Sequence, residues 1–158
     1  MPPLAFHLTW TTHGSWLHGD ERNWVEKGVP GIQLPDAKRK ADAASKLAEA
    51  PVELTTEQRR IVEQTVRDHC RIRGWCLHAL HVGTVHIHLV VTADSRPEEV
   101  MNQLKAWTSR RLSDHAGLHD PVAKKAGRKR WWTEHGSTKW INDPQYLQNV
   151  IIYVKEKQ

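Results

Sequence analysis

The chain opens on an alternation. Leu4, Phe6, Leu8 and Trp10 share one side of Leu4-Ala5-Phe6-His7-Leu8-Thr9-Trp10, and a period of two predicts a strand. Residues 13 to 35 carry Gly14, Gly19, Gly28, Pro30, Gly31 and Pro35, the punctuation of loops. Asp36 to Ala50 is rich in Ala and Lys with little apolar surface, at most a marginal exposed helix, and Pro51 interrupts it. At Thr55-Thr56-Glu57-Gln58 the period changes. Gln58 stands three residues after Thr55, as in a capping box, and Ile61, Val62, Val66 and Cys70 form an apolar stripe that ends at Gly74. Trp75 to Val82 and Val85 to Ala93 are two β-rich runs separated by Gly83-Thr84, the spacing of a hairpin.

A second helix is predicted over Pro97 to Asp114, with Val100, Leu104, Trp107 and Leu112 inward and Lys105, Arg110 and Arg111 facing elsewhere. After a loop rich in Gly and Lys, Trp131 to Glu134 and Thr138 to Trp140 read as a short strand or hairpin turning at His135-Gly136. In the last element Asn142 or Asp143 is placed to cap, Pro144 suits the first turn, and Leu147, Val150, Ile151 and Val154 make a core stripe. The order β, α, β, β, α, β, α predicts an α+β ferredoxin-like sandwich, an antiparallel sheet with helices packed on one face. We expect one domain over residues 1–158, with an insertion at about 13–54.

Composition narrows the class. With 158 residues the chain can bury a core without staples, and 39% hydrophobic with 26% charged residues describes a soluble globular protein. No apolar run approaches the ~20 residues of a membrane helix. The start lacks the basic-then-apolar pattern of a secretory signal. Two cysteines, Cys70 and Cys76, make no disulfide framework and fit a cytoplasmic location. Charge is unevenly spread: residues 1–100 hold 12 basic and 13 acidic residues, residues 101–140 hold nine and three, and the last eighteen hold two of each. A basic segment beside Trp107, Trp131, Trp132 and Trp140 reads as a surface for phosphates and stacked bases, or as a solvated helix and loop with core tryptophans. Arg128, Lys129 and Arg130 are its densest cluster.

The segment with most chemistry is Val85-His86-Ile87-His88-Leu89-Val90-Val91. Alternation puts His86 and His88 on one face of the strand while Val85, Ile87, Leu89 and Val91 enter the core. Two imidazoles at i and i+2 stand close enough to share a metal ion; surface histidines on a half-exposed strand would look the same. Tyrosine is scarce: only Tyr146 and Tyr153 occur, both on the final helix. A tyrosine near a metal-bound phosphate is a covalent nucleophile. Seven residues apart, the two lie on nearly the same helix face, so helix geometry leaves both open, as it leaves open two core-boundary aromatics.

Taken together, these blocks resemble the HUH single-tyrosine transposases, the insertion-sequence-200 type and the REP-associated tyrosine transposases. Phe6 to Thr12 resembles their first strand, Trp75 to Val82 with Val85 to Val91 their central hairpin, and Lys105 to Leu112 the helix behind it. Trp132 to Trp140 and Ile152-Tyr153-Val154 resemble the approach to their nucleophile. The resemblance covers nearly the whole chain outside roughly 13 to 54. It implies that His86 and His88 hold a divalent cation, Mg²⁺ or Mn²⁺, with the imidazole donors favouring Mn²⁺. It implies that Tyr153 attacks single-stranded DNA to give a 5′-phosphotyrosine and a free 3′-hydroxyl, and that the protein is a homodimer recognising hairpin DNA.

One departure touches the metal site. Many relatives carry a Gln one turn after the tyrosine; here that place holds Lys157, and Gln158 follows. Lys157 would then meet the phosphate, with Gln158 a third ligand only if the helix end unwinds. Lys105, Arg110, Arg111, Arg128, Lys129 and Arg130 are the remaining expected phosphate contacts, and Tyr146 is the alternative nucleophile. Two other readings compete: a catalytically silent or domesticated nucleic-acid-binding domain, and a metal-binding or hydrolytic enzyme with structural tyrosines.

Overall fold

The computed structural model describes residues 2–14, 24–25, 32–33, 37–38, 41, 51–119 and 130–156. Among them, β1 (Ala5–Thr11), α1 (Thr56–Arg73), β4 (Cys76–Val82), β5 (His86–Thr92), α2 (Pro97–His119), β6 (Ser137–Ile141) and α3 (Pro144–Glu156) follow one another, with a separate two-stranded pair, β2 (Trp24–Val25) and β3 (Ile32–Gln33), between β1 and α1. The main sheet has the order β4-β5-β1-β6 and is antiparallel throughout. This is the split arrangement expected of a ferredoxin-like α+β fold.

The strand alternation sorts the sheet into two faces. Phe6, Leu8 and Trp10 of β1 and Ile87, Leu89 and Val91 of β5 pack with Val62, Val66 and Cys70 of α1 and Val100 and Leu104 of α2. These two helices lie on one face, as predicted, and α3 lies against the other. There Val150 and Val154 cover Ala5, Ala79, Val90 and Ile141 in a smaller cluster. That cluster is confined to one end of the face, and the polar residues of β1, β5 and β6 occupy the rest.

Local signals explain the element ends. Thr55 and Gln58 form the reciprocal capping box at the start of α1, and Gly74, at φ +73°, closes it in the left-handed conformation. Gly83 N–H donates to His86 O at 2.8 Å, closing the β4–β5 turn. Asp143 accepts from the Tyr146 N–H at 2.8 Å and caps α3.

Two expectations are revised. Trp107 does not point inward; it is 40% exposed at the edge of the α1–α2 groove. Of the two alternatives for Trp131 to Trp140, the short strand holds, as β6, and the hairpin does not. Thr12 pairs with Trp132 and Thr9 with Ser137, so both pieces run along β1 with an excursion between them. Val52 and Leu54, at the end of the stretch expected as an insertion, are buried, and their N–H groups donate to His13 O and Thr84 O.

Candidate active site

Antiparallel register assembles the site. Thr9 of β1 lies opposite His88 and Thr11 opposite His86, while His81 of β4 lies opposite His88. On the other side of β1, Lys139 faces His7 and Ser137 faces Thr9. Cross-strand partners share a face, so this end of the sheet carries histidine, threonine, serine and lysine where the other end carries the apolar residues under α3.

The histidines form a connected cluster. Ring centroids of His86 and His88 are 4.9 Å apart, those of His81 and His86 5.7 Å, and His7 is stacked on His88 at 5.7 Å. Thr9 Oγ1 lies 3.1 Å from His88 Nδ1, a contact that orients the ring and leaves Nε2 as the nitrogen for a metal. Burial first, then the His86, His7 and His81 rings, lowers His88 to about 4. His7 is lowered by burial and by Lys139, and His81 by burial, His86 and Arg59.

The α3 side completes a cleft of about 520 Å³ in which His7, His88, Lys139, Tyr146, Asn149 and Tyr153 meet. Tyr153, 46% exposed, sets its ring 6.4 Å from His88 at a steep angle. Tyr146 lines the same cleft, and no ring contact joins it to the histidines among the described residues. Hence both expected nucleophile candidates open on one cavity, and Tyr153 is the one beside the histidine pair.

The donor set of His86 and His88 fits a divalent cation. A cation takes the lone pair of a neutral imidazole, and His88 stays neutral at physiological pH. Among the described residues, no group of three or more His, Cys, Asp or Glu is arranged to hold a metal. Gln158 and Lys157, the expected third ligand and phosphate contact, lie outside the described residues, as do Arg128 and Lys129.

The expected phosphate contacts are dispersed. Lys105 Nζ donates to Thr133 O and His135 O, each at 2.7 Å, and burial lowers its pKa; this ammonium holds backbone. Arg110 and Arg111 are exposed on α2, across the sheet from the cleft, and Arg130 is exposed. Among the described residues, Lys139 is the cation that lines the cleft. Sequence reading counted it as basic charge but missed it as a site residue, along with His7, Thr9, Ser137 and Asn149. The His7–Lys139 pairing is cross-strand, and nothing local signals it.

Among the described residues, no helix is long and apolar enough to cross a membrane. No curated protein matches the sequence. One solved structure with a similar fold is a REP-associated tyrosine transposase bound to a REP hairpin, with a TM-score of 0.54 at 11% identity. The match covers 98% of this chain but 66% of that one, so this chain spans just under two thirds of that relative's length. A putative transposase from Deinococcus radiodurans R1 matches at 18% identity and a TM-score of 0.48, over 95% of this chain and 88% of that one. The family model described as "Transposase IS200 like" matches residues 50–157, a span that holds α1, the histidine strand and α3 up to and beyond Tyr153. With that match over more than half its length, the chain belongs to the IS200-like transposase family.

Proposed function

We propose that this protein cuts and rejoins single-stranded DNA at hairpin-bearing sites, with Tyr153 as nucleophile and His86 and His88 as ligands of a divalent cation, Mn²⁺ or Mg²⁺. The observation that carries the reading is the Tyr153 phenol standing over His88 in a cleft that also contains Lys139. A bound cation would supply positive charge to the phosphate oxygens.

The phenol oxygen of Tyr153 attacks the phosphorus, forming the Tyr–O–P bond as the P–O3′ bond breaks. The phenol gives up its proton and the departing 3′ oxygen gains one, leaving a 3′-hydroxyl and a 5′-phosphotyrosine. Attack by a different 3′-hydroxyl reverses the exchange and releases Tyr153, so no ATP is required. Lys139 offers a cation to the non-bridging oxygens, where transition-state charge is greatest. Thr9 holds the His88 ring in place, and Asn149 and Ser137 offer hydrogen bonds to the strand. Hairpin DNA as partner and a homodimer as working form belong to this reading; the REP hairpin in the related structure supports the first.

The test is covalent. Incubated with a hairpin-containing single-stranded oligonucleotide and Mn²⁺, the protein forms an SDS-resistant adduct that Tyr153→Phe abolishes and Tyr146→Phe retains. An adduct lost only in Tyr146→Phe would reassign the nucleophile. Hairpin binding with no adduct from any oligonucleotide would favour a catalytically silent DNA-binding domain.

A further inference from the structure

The proposed chemistry uses one end of the cleft and leaves the other unassigned. Tyr146, Asn149, Val150 and Tyr153 all line it. Their spacing of i, i+3, i+4 and i+7 puts them on one face of α3, the face turned to the sheet. Val150 is buried there. Tyr146, one turn earlier on the same face, is 41% exposed, since it lies beyond the small apolar cluster under α3. Its ring therefore leaves the helix on the sheet side without being covered. The floor it faces is polar: Ser137 and Lys139 of β6 line the same cleft. The turn that carries it is anchored, because the Tyr146 N–H donates to Asp143 Oδ2 at 2.8 Å.

Size and geometry narrow the occupant. A volume of about 520 Å³ is that of a pocket for a small organic molecule, more than one phosphate and one cation fill. Seven residues of helix set Tyr146 about 10 Å from Tyr153 along the axis, on the scale of the reach from a phosphorus to the base of the adjoining nucleotide. Because α3 starts three residues after β6 ends, Tyr146 lies at the β6 end of the cleft, while Tyr153 stands beside His88 of β5. A ligand with a phosphate at one end and a flat group at the other matches this layout. Asn149 stands between the two tyrosines. Its Oδ1 accepts from Gln145 Nε2 at 3.1 Å, so its amide N–H₂ is the group left for a base edge. In-line displacement sends the 3′ oxygen away from the phenol. The nucleotide that stays beside α3 is then the one joined to Tyr153 through its 5′-phosphate.

We propose that Tyr146 stacks on the base of the first nucleotide 3′ of the cut, the one left bound to Tyr153, with Asn149 donating to an acceptor on that base's edge. Tyr146 is then a binding residue of the cleft and not a second nucleophile. The inference rests on the DNA-cutting reading above and gives it a base subsite. Stacking on an aromatic ring tolerates every base, so discrimination among bases falls to the Asn149 donor. Since the contact is to the retained nucleotide, it persists through the covalent intermediate and holds that end while one 3′-hydroxyl is exchanged for another.

Oligonucleotides that each lack one base, scanned across the single-stranded region beside the hairpin, decide it. Affinities are read by fluorescence anisotropy with Mn²⁺ in a Tyr153→Phe background, where no strand is cut, and the cut is mapped separately with the wild type. One abasic position weakens binding about tenfold, the size of one base–aromatic stack, and it is the first nucleotide 3′ of the mapped cut. Adding Tyr146→Ala weakens binding of the intact strand by the same factor and makes binding indifferent to that position, whereas adding Tyr146→Phe keeps the parent pattern. Unchanged affinity for the intact strand on adding Tyr146→Ala overturns the proposal. So does a loss that leaves the sensitivity to every abasic position as it was, which is a structural effect, and so does a Tyr146-dependent position elsewhere in the strand. A wild-type adduct with no Tyr146-dependent position refutes this contact alone. A Tyr146-dependent position with no wild-type adduct refutes the cutting reading and, with it, the placement of this base, so the two failures are distinguishable.

Discussion

His88 concentrates the electrostatics of the cleft in one side chain. Its imidazole is lowered to about 4 from an ordinary 6.5, so between those values the unfolded chain binds more protons than the folded one. Stability is therefore complete above pH 6.5 and is lost as pH falls towards 4; the downward shifts of His7 and His81 act in the same direction. Urea midpoints measured from pH 7.5 to 4.5 should fall, and should fall less steeply in His88→Asn. An equally steep fall in that variant would assign the acid sensitivity elsewhere. Metal uptake should weaken over the same range, because protons and cation compete for the imidazoles. By contrast Cys70, buried and pushed up to about 11, is a packing thiol.

At the scale of elements, the excursion between Trp132 and Ser137 shows what local pattern reads poorly. His135 adopts φ +69°, and Gly136 follows where an added Cβ would lie 2.7 Å from Thr9 O and from Met101 Sδ. Seen along the sequence, His135-Gly136 is a hairpin turn; in space it is a close passage over β1, stitched by the Lys105 ammonium. Lys105→Met should cost about 2 kcal/mol, since it leaves two carbonyls without their charged donor. Gly136→Ala should cost at least as much through the clash. Thermal or urea unfolding measures both, and wild-type stability in either variant would refute the stitch. The capping box of α1 was legible because Thr55 and Gln58 are three residues apart; the stitch was not, because Lys105 and Thr133 are 28 apart.

Over the whole molecule, the basic segment divides. Lys139 lines the cleft, Arg110 and Arg111 flank Trp107 on the opposite side, and Lys105 is internal. If Arg128, Lys129 and Arg130 also contact phosphates, replacing all three by Ala should weaken binding to every sequence and lower the slope of log K against log salt by about 2 for single strands. A slope equal to that of the wild type would remove that cluster from the interface.

The amino-acid sequence by itself determined the order of the main-sheet strands and the three helices packed on them, the ends of α1, the orientation of His86 and His88 away from the core and the restriction of candidate nucleophiles to two tyrosines. Each of these depends on periodicity, capping or composition within a few residues. Only the tertiary structure decided that α3 crosses the face bearing the histidines and that Tyr153 rather than Tyr146 meets His88. Cross-strand register likewise brought Lys139 to His7, and packing left Trp107 open between two helices. The physical reason is the same for all of these. Helix and strand periods fix which way a side chain leaves its own backbone, while the neighbour it meets is set by strand order, register and helix docking, which join residues far apart in the chain.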